Sequence, residues 1–226
     1  MKNVFFMFVL ICVSVGIISS CSSDDEVAAT ATAEEEAAAA GTTIGLTDSA
    51  GTSSSTTWKS ACSTWTGGGG SNDWKYVFSG ATLSDLSNTY SDDNCTTQDE
   101  QSKWNYTIVP STTASTITNE ADNSSVTGYK AVLTVTGIYH VFNTQTGIDR
   151  ANTDNSSGGC EKTDWVLNTT KETTGLACNS SDRTDKRPAV GKIFYTMWYV
   201  NGTNLMYNFG LADNLTSVAS DNYTKQ

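Results

Sequence analysis

Residues 192–209 read KIFYTMWYVNGTNLMYNF and predict a β-hairpin. Apolar and aromatic side chains occupy almost every position of the first arm, residues 192–200, which suits a strand that is covered on both faces. Asn201 and Gly202 then supply the two positive φ values that a type I′ turn requires. The second arm runs over residues 204–209. This hairpin therefore favours an antiparallel β-fold.

The same period of two recurs in earlier stretches of the chain, where aromatic or apolar residues alternate with other residues. The residues on the predicted buried faces are Trp74, Tyr76, Phe78, Trp104, Tyr106, Ile108, Tyr129, Ala131, Leu133, Val135, Tyr139 and Val141. A further short strand is expected at residues 165–167, and no amphipathic helical pattern follows residue 58. Eight or nine strands of this kind predict an all-β fold, either one antiparallel up-and-down barrel or a β-sandwich.

The composition excludes several classes of protein. The chain has 226 residues, a formal net charge of −11 and a single histidine. A duplex nucleic-acid binder needs a basic face, and so does a protein that docks electrostatically on anionic lipid. One histidine leaves little room for zinc, haem or histidine-based proton chemistry. We therefore expect no nucleic-acid partner, no metal and no cofactor.

The first residues have the pattern of an export signal. Lys2 precedes an apolar run over residues 4–18, which is shorter than the ~20 residues that a membrane-spanning helix needs. The run ends in Ile18-Ser19-Ser20-Cys21, which resembles the lipobox of bacterial lipoproteins. The resemblance implies that residues 1–20 are a signal peptide and that Cys21 becomes acylated, which would anchor the protein stably in a membrane.

The residues after Cys21 bear on location. Ser22 resembles the residue that directs enterobacterial lipoproteins to the outer membrane. Asp24, Asp25 and Glu26 resemble the acidic stretch that sends some Bacteroidota lipoproteins to the cell surface, and they are equally typical of a solvated linker. The prediction is an outer-membrane lipoprotein on either the periplasmic or the surface side.

Composition also divides the rest of the chain. Residues 21–57 contain no aromatic residue, lysine or arginine and are rich in Ala, Ser, Thr and acids, which predicts a disordered tether. Residues 58–226 hold all six tryptophans and all nine tyrosines. They are expected to form one compact ectodomain of unknown oligomeric state.

Four cysteines remain in the predicted ectodomain: Cys62, Cys95, Cys160 and Cys178. An even number in an oxidising compartment indicates disulfides. Three pairings are possible, and proximity in sequence favours Cys62–Cys95 with Cys160–Cys178. A thiol nucleophile or metal site is not expected, because no Cys-x-x-Cys motif occurs.

The sequence contains no recognisable catalytic constellation. His140 lies on the polar face of its predicted strand and is expected to be a surface or hydrogen-bonded histidine. Residues 182–187 carry mixed charges beside a proline and predict an exposed connection. Acidic residues near two cysteines could serve sugar hydrolysis or bind calcium, although solvated loops are favoured. They are Asp92, Asp93, Asp99, Glu100, Asp149, Asp154, Glu161 and Asp164.

The aromatic residues carry the remaining functional information. Stacked rings near Asn, Thr and Asp suit sugar faces, and an aromatic-lined barrel suits a small apolar ligand. The candidate ligand-binding residues are Trp74, Tyr76, Trp104, Tyr139 and Trp198.

A resemblance to lipocalin-type barrels rests on two places in the chain. Trp58 is followed four residues later by Cys62, and Thr163-Asp164-Trp165 stands where that family has Thr-Asp-Tyr. Thr56 stands where that family has glycine. The resemblance implies a barrel fold and licenses no function by itself.

These observations predict a lipid-anchored, non-catalytic ectodomain that binds a small apolar ligand or a glycan. A surface-exposed adhesion or envelope-structural protein is the alternative. A carboxylate-dependent glycan hydrolase is a third interpretation. Enclosed space inside the barrel would favour the first of these, and a filled interior the second.

Overall fold

The computed structural model describes six stretches of the chain: residues 56–111, 113–153, 159–178, 186–201, 204–218 and 222–226. The predicted signal peptide, the lipidation residue Cys21 and the predicted tether up to residue 55 lie outside these residues. None of the helices in the described stretches is long and apolar enough to cross a membrane.

The described chain forms twelve β-strands and one short helix. The longer strands are β3 (Ser71–Ser79), β4 (Thr82–Tyr90), β5 (Gln98–Pro110), β7 (Ser124–Phe142), β9 (Ile193–Asn201) and β10 (Asn204–Gly210). The shorter strands are β1 (Thr56–Ser60), β2 (Ser63–Thr64), β6 (Ser115–Asn119), β8 (Lys171–Glu172), β11 (Ser217–Val218) and β12 (Asn222–Lys225). The helix α1 spans Gln145–Thr153.

Eight of these strands close into an antiparallel barrel. Their order is β1-β3-β4-β5-β7-β9-β10-β12, and β12 pairs with β1 to complete the ring. Each strand is antiparallel to the next, so the chain runs up and down around the barrel. This confirms the predicted up-and-down barrel, and the sandwich alternative is wrong.

The hairpin that led to the all-β prediction is present. Asn201 at the end of β9 pairs with Asn204 at the start of β10, and the two residues between them lie outside the described chain. Met197 is fully buried on the outer side of β9, where Ile117 and Val218 from the added strands β6 and β11 cover it. Part of β9 is therefore covered on both faces, as its sequence predicts.

The two ends of the barrel differ in their connections. At one end lie the tight β3–β4 and β9–β10 turns, and we call this the packed end. At the other, the loop end, the connections are residues 61–70, 91–97 and 143–192. Residues 211–221 leave β10 and carry β11, which pairs with β6 beside the start of β7 at the packed end. Both disulfides, Cys62–Cys95 and Cys160–Cys178, lie in loop-end connections and confirm the predicted pairing.

Apolar side chains fill the interior towards the packed end. Phe78, Leu83, Leu133 and Leu205 are all 0% exposed, and Trp198 is 1% exposed. Burial of each such side chain stabilises the fold by roughly 1.5–3 kcal/mol. An eight-stranded barrel is just wide enough for its own side chains to fill it, and this end does so.

A β-bulge in β7 changes which residues face inward. Asn105 pairs with Gly137 but Tyr106 pairs with Val135, so Thr136 is an extra residue. One inserted residue reverses the alternation beyond it. Tyr139 and Val141 therefore lie on the outer face, and the prediction that they share a face with Tyr129 is wrong.

The loop after β7 also differs from expectation. Residues 165–167 are not a strand, because the Trp165 indole packs into a small second core and donates to the Gly159 carbonyl at 2.9 Å. The helix α1, which the sequence pattern did not predict, buries only Gly147, Ile148 and Ala151. Three buried residues in nine are too few to show a helical stripe.

Candidate functional site

One row of side chains crosses the inner wall of the barrel on three neighbouring strands. Tyr76 on β3 pairs directly with Asp85 on β4, and Asp85 pairs with Trp104 on β5. Directly paired residues share a face of the sheet, and Tyr76 belongs to the buried interior cluster. Asp85 therefore faces the barrel interior between two aromatic residues.

The interior is more accessible here than at the packed end. Phe78 and Leu83, two residues closer to the β3–β4 turn, are 0% exposed. Asp85, Trp74 and Trp104 keep intermediate exposure. The interior is therefore less tightly filled at the level of Asp85 than at the packed end, and we call this part, bordered by Trp74, Tyr76, Asp85 and Trp104, the recess.

Asp85 has an unusual environment for a carboxylate. Within the part of the chain that the structure describes, it makes no hydrogen bond and no ion pair. Burial raises the pKa of its carboxyl from 3.8 to about 7, because the charged form is poorly solvated inside the barrel. The side chain therefore titrates near neutral pH.

Tyrosines surround this carboxylate. The Tyr76 ring lies 4.6 Å from the Tyr207 ring and 4.7 Å from the Tyr223 ring, measured between centroids. Burial, with the nearby Asp85 charge as a further contribution, raises the pKa values of Tyr76, Tyr106 and Tyr207. These phenols stay neutral, so the neighbours of the Asp85 carboxylate are uncharged aromatic side chains and not a cation.

A hydrogen-bonded arginine lies beside the recess at the loop end. Arg187 Nη1 donates to Ser102 Oγ and to Thr173 Oγ1, each at 3.0 Å, and the Trp104 indole donates to the same Ser102 Oγ at 3.2 Å. Burial lowers the pKa of Arg187 to about 10, although nearby Glu100 acts in the opposite direction. The prediction of an exposed connection is wrong at Arg187, because these contacts hold its guanidinium against the barrel wall.

His140 takes part in the same network. It is 5% exposed and faces inward, because the β7 bulge reverses the face on which it was predicted. Its Nδ1 lies 3.2 Å from Arg187 Nη2 and its Nε2 lies 3.6 Å from Glu100 Oε2. Burial works to raise the pKa of Glu100, but contact with His140 and the charge of Arg150 outweigh it and lower that pKa.

This network does not form a nucleophile and its base. Ser102 Oγ accepts hydrogen bonds from Arg187 and Trp104, the Nδ1 atom of His140 is occupied by Arg187, and its Nε2 lies near Glu100, so no hydrogen bond joins the described Ser102 and His140 side chains. A serine nucleophile needs an imidazole nitrogen free to take its proton. The contacts therefore fit a positioning role for the three polar side chains.

Several of the predicted carboxylate candidates serve the fold. Asp92 accepts hydrogen bonds from the backbone of Thr96 and Asn94, which lower the pKa of its carboxyl. Asp93 accepts from the Gly69 and Gly70 amides at 2.8 and 3.0 Å.

The remaining candidates are more peripheral. Asp99 and Glu100 both pair with Arg150 of α1, and Asp164 pairs with Lys171. Asp154 lies outside the described residues. In the described stretches no three His, Cys, Asp or Glu side chains are grouped as metal ligands.

The five predicted ligand-binding residues divide into three groups. Trp74, Tyr76 and Trp104 line the inner wall together. Trp198 is fully buried at the packed end and stacks on Tyr129, with 6.2 Å between the ring centroids. Tyr139 is separate, because it lines an open depression of about 340 Å³ on the outer surface. The recess is the better candidate site, since three of the five residues border it together with a buried charge.

Two residues of the site were missed in the sequence. Asp85 was detectable: a two-residue turn after Ser79 pairs Tyr76 with the ninth residue beyond it, which is Asp85. Arg187 gave no local signal, because its partners on β5 and β7 are distant in sequence.

Comparison with known proteins gives no further assignment, since no family model and no curated protein matches this chain.

Proposed function

We propose that the protein is a lipid-anchored lipoprotein of the outer membrane, on its periplasmic or surface side. Its barrel binds a small ligand, apolar or a glycan, without catalysing a reaction. The anchor rests on the Ile18-Ser19-Ser20-Cys21 motif. The binding role rests on the interior of the barrel.

The observation that carries the binding role is the unpartnered Asp85 beside accessible aromatic rings. A carboxylate inside a barrel without a partner costs several kcal/mol. A barrel that served only as a rigid body would be more stable with an apolar residue at this position. Natural proteins keep such unfavourable groups mainly where they act on a ligand.

The shape and lining of the recess support the same role. The partly exposed rings of Trp74 and Trp104 offer flat apolar surfaces, and such surfaces with a few polar groups are typical of small-molecule sites. The occupied atoms of Ser102 and His140 support binding over catalysis.

An envelope-structural or adhesive protein is the second candidate, and the filled packed end favours it. Native mass spectrometry separates the two. We expect the full chain, extracted from the envelope in a nonionic detergent, to carry a discrete added mass that is lost on denaturation. A bare mass would contradict the binding role and favour the structural one.

A matched pair of variants places the ligand. Ser87 faces inward next to Asp85, whereas Leu86 lies on the outer face. Ser87→Phe should fill the recess and remove the added mass, and Leu86→Phe should retain it. An added mass that persists in Ser87→Phe would place the ligand elsewhere.

The anchor is tested independently of the ligand. Cys21→Ala should move the protein from the membrane fraction to the soluble fraction and abolish incorporation of labelled fatty acid. Cys12→Ala, within the predicted signal peptide, is the control and should leave the protein in the membrane. Retention of Cys21→Ala in the membrane without labelling would contradict the lipobox interpretation.

A further inference from the structure

We propose that the ligand of the recess is a small organic cation, an amine with a short apolar or aromatic part, whose ammonium group pairs with Asp85. This inference rests on the proposed function, because it names the chemistry of the molecule that the recess holds.

Asp85 has no counter-charge among the described residues. Lys75 and Lys103 immediately precede Tyr76 and Trp104 in the sequence. Because side chains alternate along a strand, both lysines lie on the outer face of the barrel wall. Arg187 is directed at Ser102, Thr173 and His140, and no ion pair joins it to Asp85. Among the described residues no cation neutralises Asp85, so a bound ligand is the natural source of the positive charge.

Aromatic rings surround Asp85. Ring faces attract ammonium groups through their quadrupole, and the attraction grows when water is excluded. Trp104 is the direct neighbour of Asp85 on β5 and keeps intermediate exposure, so its ring can contact a ligand, whereas Tyr76, Tyr106 and Tyr207 are buried and supply only neutral surroundings. A carboxylate among neutral rings is the arrangement that recognises an amine.

The alternatives fit less well. An anionic ligand would be repelled by Asp85. A neutral sugar would displace water from the carboxylate and leave its charge unpaired, which is unfavourable in a buried site. An amine gains both the ion pair and the ring contacts.

The filled packed end limits the size of the ligand. Phe78, Leu83, Leu205 and Trp198 fill the barrel on the packed-end side of Asp85, so the ligand is confined to the level of Asp85 and the loop-end side of it. One ammonium group with a single ring or a short chain suits that space.

The inference also predicts pH dependence. The groups that face Asp85 are Tyr76 from β3, Trp104 and Tyr106 from β5, and Tyr207 from β10, and all are neutral near pH 7. Because the pKa of Asp85 is about 7, affinity for an amine should rise from pH 5 to pH 8 as the carboxyl ionises.

The test is isothermal titration calorimetry of the full chain in nonionic detergent. The probes are 2-phenylethylamine and its neutral counterpart 2-phenylethanol. We expect the amine to bind at least about tenfold more tightly than the alcohol at pH 8, since an ion pair in a desolvated site is worth more than one decade of affinity. Asp85→Asn should reduce the amine to the affinity of the alcohol.

Controls keep the outcomes distinct. Asp213→Asn removes an exposed carboxylate and should leave both affinities unchanged. In the unaltered protein, lowering the pH to 5 should reduce the affinity for the amine at least about tenfold and leave the affinity for the alcohol unchanged. This tests Asp85 without a substitution.

Equal binding of the amine and the alcohol, unchanged in Asp85→Asn, would overturn the cation inference and leave the proposed binding role intact. Binding of neither probe would also overturn the cation inference. The binding role would then be decided separately by the added mass in native mass spectrometry.

Discussion

The two ends of the barrel are built on different principles. At the packed end, tight turns enclose side chains such as Phe78 and Leu83 that have no exposed surface. At the loop end, two disulfides, the helix α1 and an arginine network hold long connections around a partly open interior. One end is closed by apolar packing inside the barrel, whereas the other combines covalent and polar links with a smaller apolar cluster around Trp165.

The difference shows which part of the fold contributes to the free energy of unfolding and which part reduces it. At the packed end the apolar side chains stabilise the fold by filling the interior tightly. The recess at the other end keeps a charge that weakens the fold. Such a division is expected when binding groups are locally unfavourable and the rest of the fold compensates for them.

The largest expected change in stability comes from loss of the two disulfides at the loop end. Reduction of both disulfides should lower the free energy of unfolding by about 7 kcal/mol on the chain-entropy model, because loops with sequence separations of 33 and 18 lose their cross-links. Thermal unfolding by circular dichroism, with and without reductant, measures it. An unchanged melting temperature would show that the loop end does not depend on covalent closure.

The next effect separates stability from binding. Phe78→Ala should cost about 3–5 kcal/mol by leaving a cavity at the packed end. Trp104→Ala should cost less stability, because Trp104 is only partly buried, and should remove the ligand mass. Urea unfolding and native mass spectrometry of both variants test this. A Trp104→Ala protein that loses more stability than Phe78→Ala would contradict the comparison.

A smaller and pH-dependent effect is expected at Asp85. Its folded-state pKa of about 7 lies above the ordinary value of 3.8, so its favourable contribution is full below pH 3.8 and is lost as pH rises through 7. Linkage sets an upper bound of about 4 kcal/mol, part of which an unpartnered amide would offset. Asp85→Asn should therefore be about 2 kcal/mol more stable at pH 8 and unchanged at pH 4, measured by urea unfolding.

Asp73 is the matched control for Asp85. It lies on the outer side of β3 and is 0% exposed, and it accepts from Asn88 and Tyr90 and pairs with Lys59 at 2.9 Å. Asp73→Asn should destabilise the protein by about 1–3 kcal/mol, the opposite sign at pH 8. The same sign for both variants would show that Asp85 has partners in solution.

The smallest effect concerns charge at the packed end. Lys130 lies 3.9 Å from Asp213 across an exposed surface. Lys130→Gln should change stability by less than about 1 kcal/mol, because exposed ion pairs are screened by water. A larger loss in thermal unfolding would mean that the packed end depends on more than apolar contacts.

Much of the fold was predictable from local patterns. Alternation in Trp74, Tyr76 and Phe78 and the Asn201-Gly202 dipeptide are properties of short segments, and the barrel follows from repeating them. Disulfide pairing followed from sequence distance. One extra residue at Thr136 has no local signature, yet it reversed the faces of Tyr139 and His140.

The site was less predictable because it depends on pairing between segments. Asp85 becomes significant only when the β3–β4 register places it beside Tyr76. The contacts of Arg187 join a loop to strands that lie far away in sequence, and no pattern of neighbouring residues encodes them.

The seam between β1 and β12 has a consequence for biogenesis. Trp58 pairs with Lys225, and the Gln226 amide donates to the Thr57 carbonyl at 2.9 Å, so the ring closes through segments from opposite ends of the described chain. Closing such a distant pair carries a large loop entropy and is slow. Until residues 222–225 emerge during synthesis, β1 and β10 remain open edges that can pair with other chains. The segment from β1 to β12 is therefore exposed to pairing with other chains until the barrel closes.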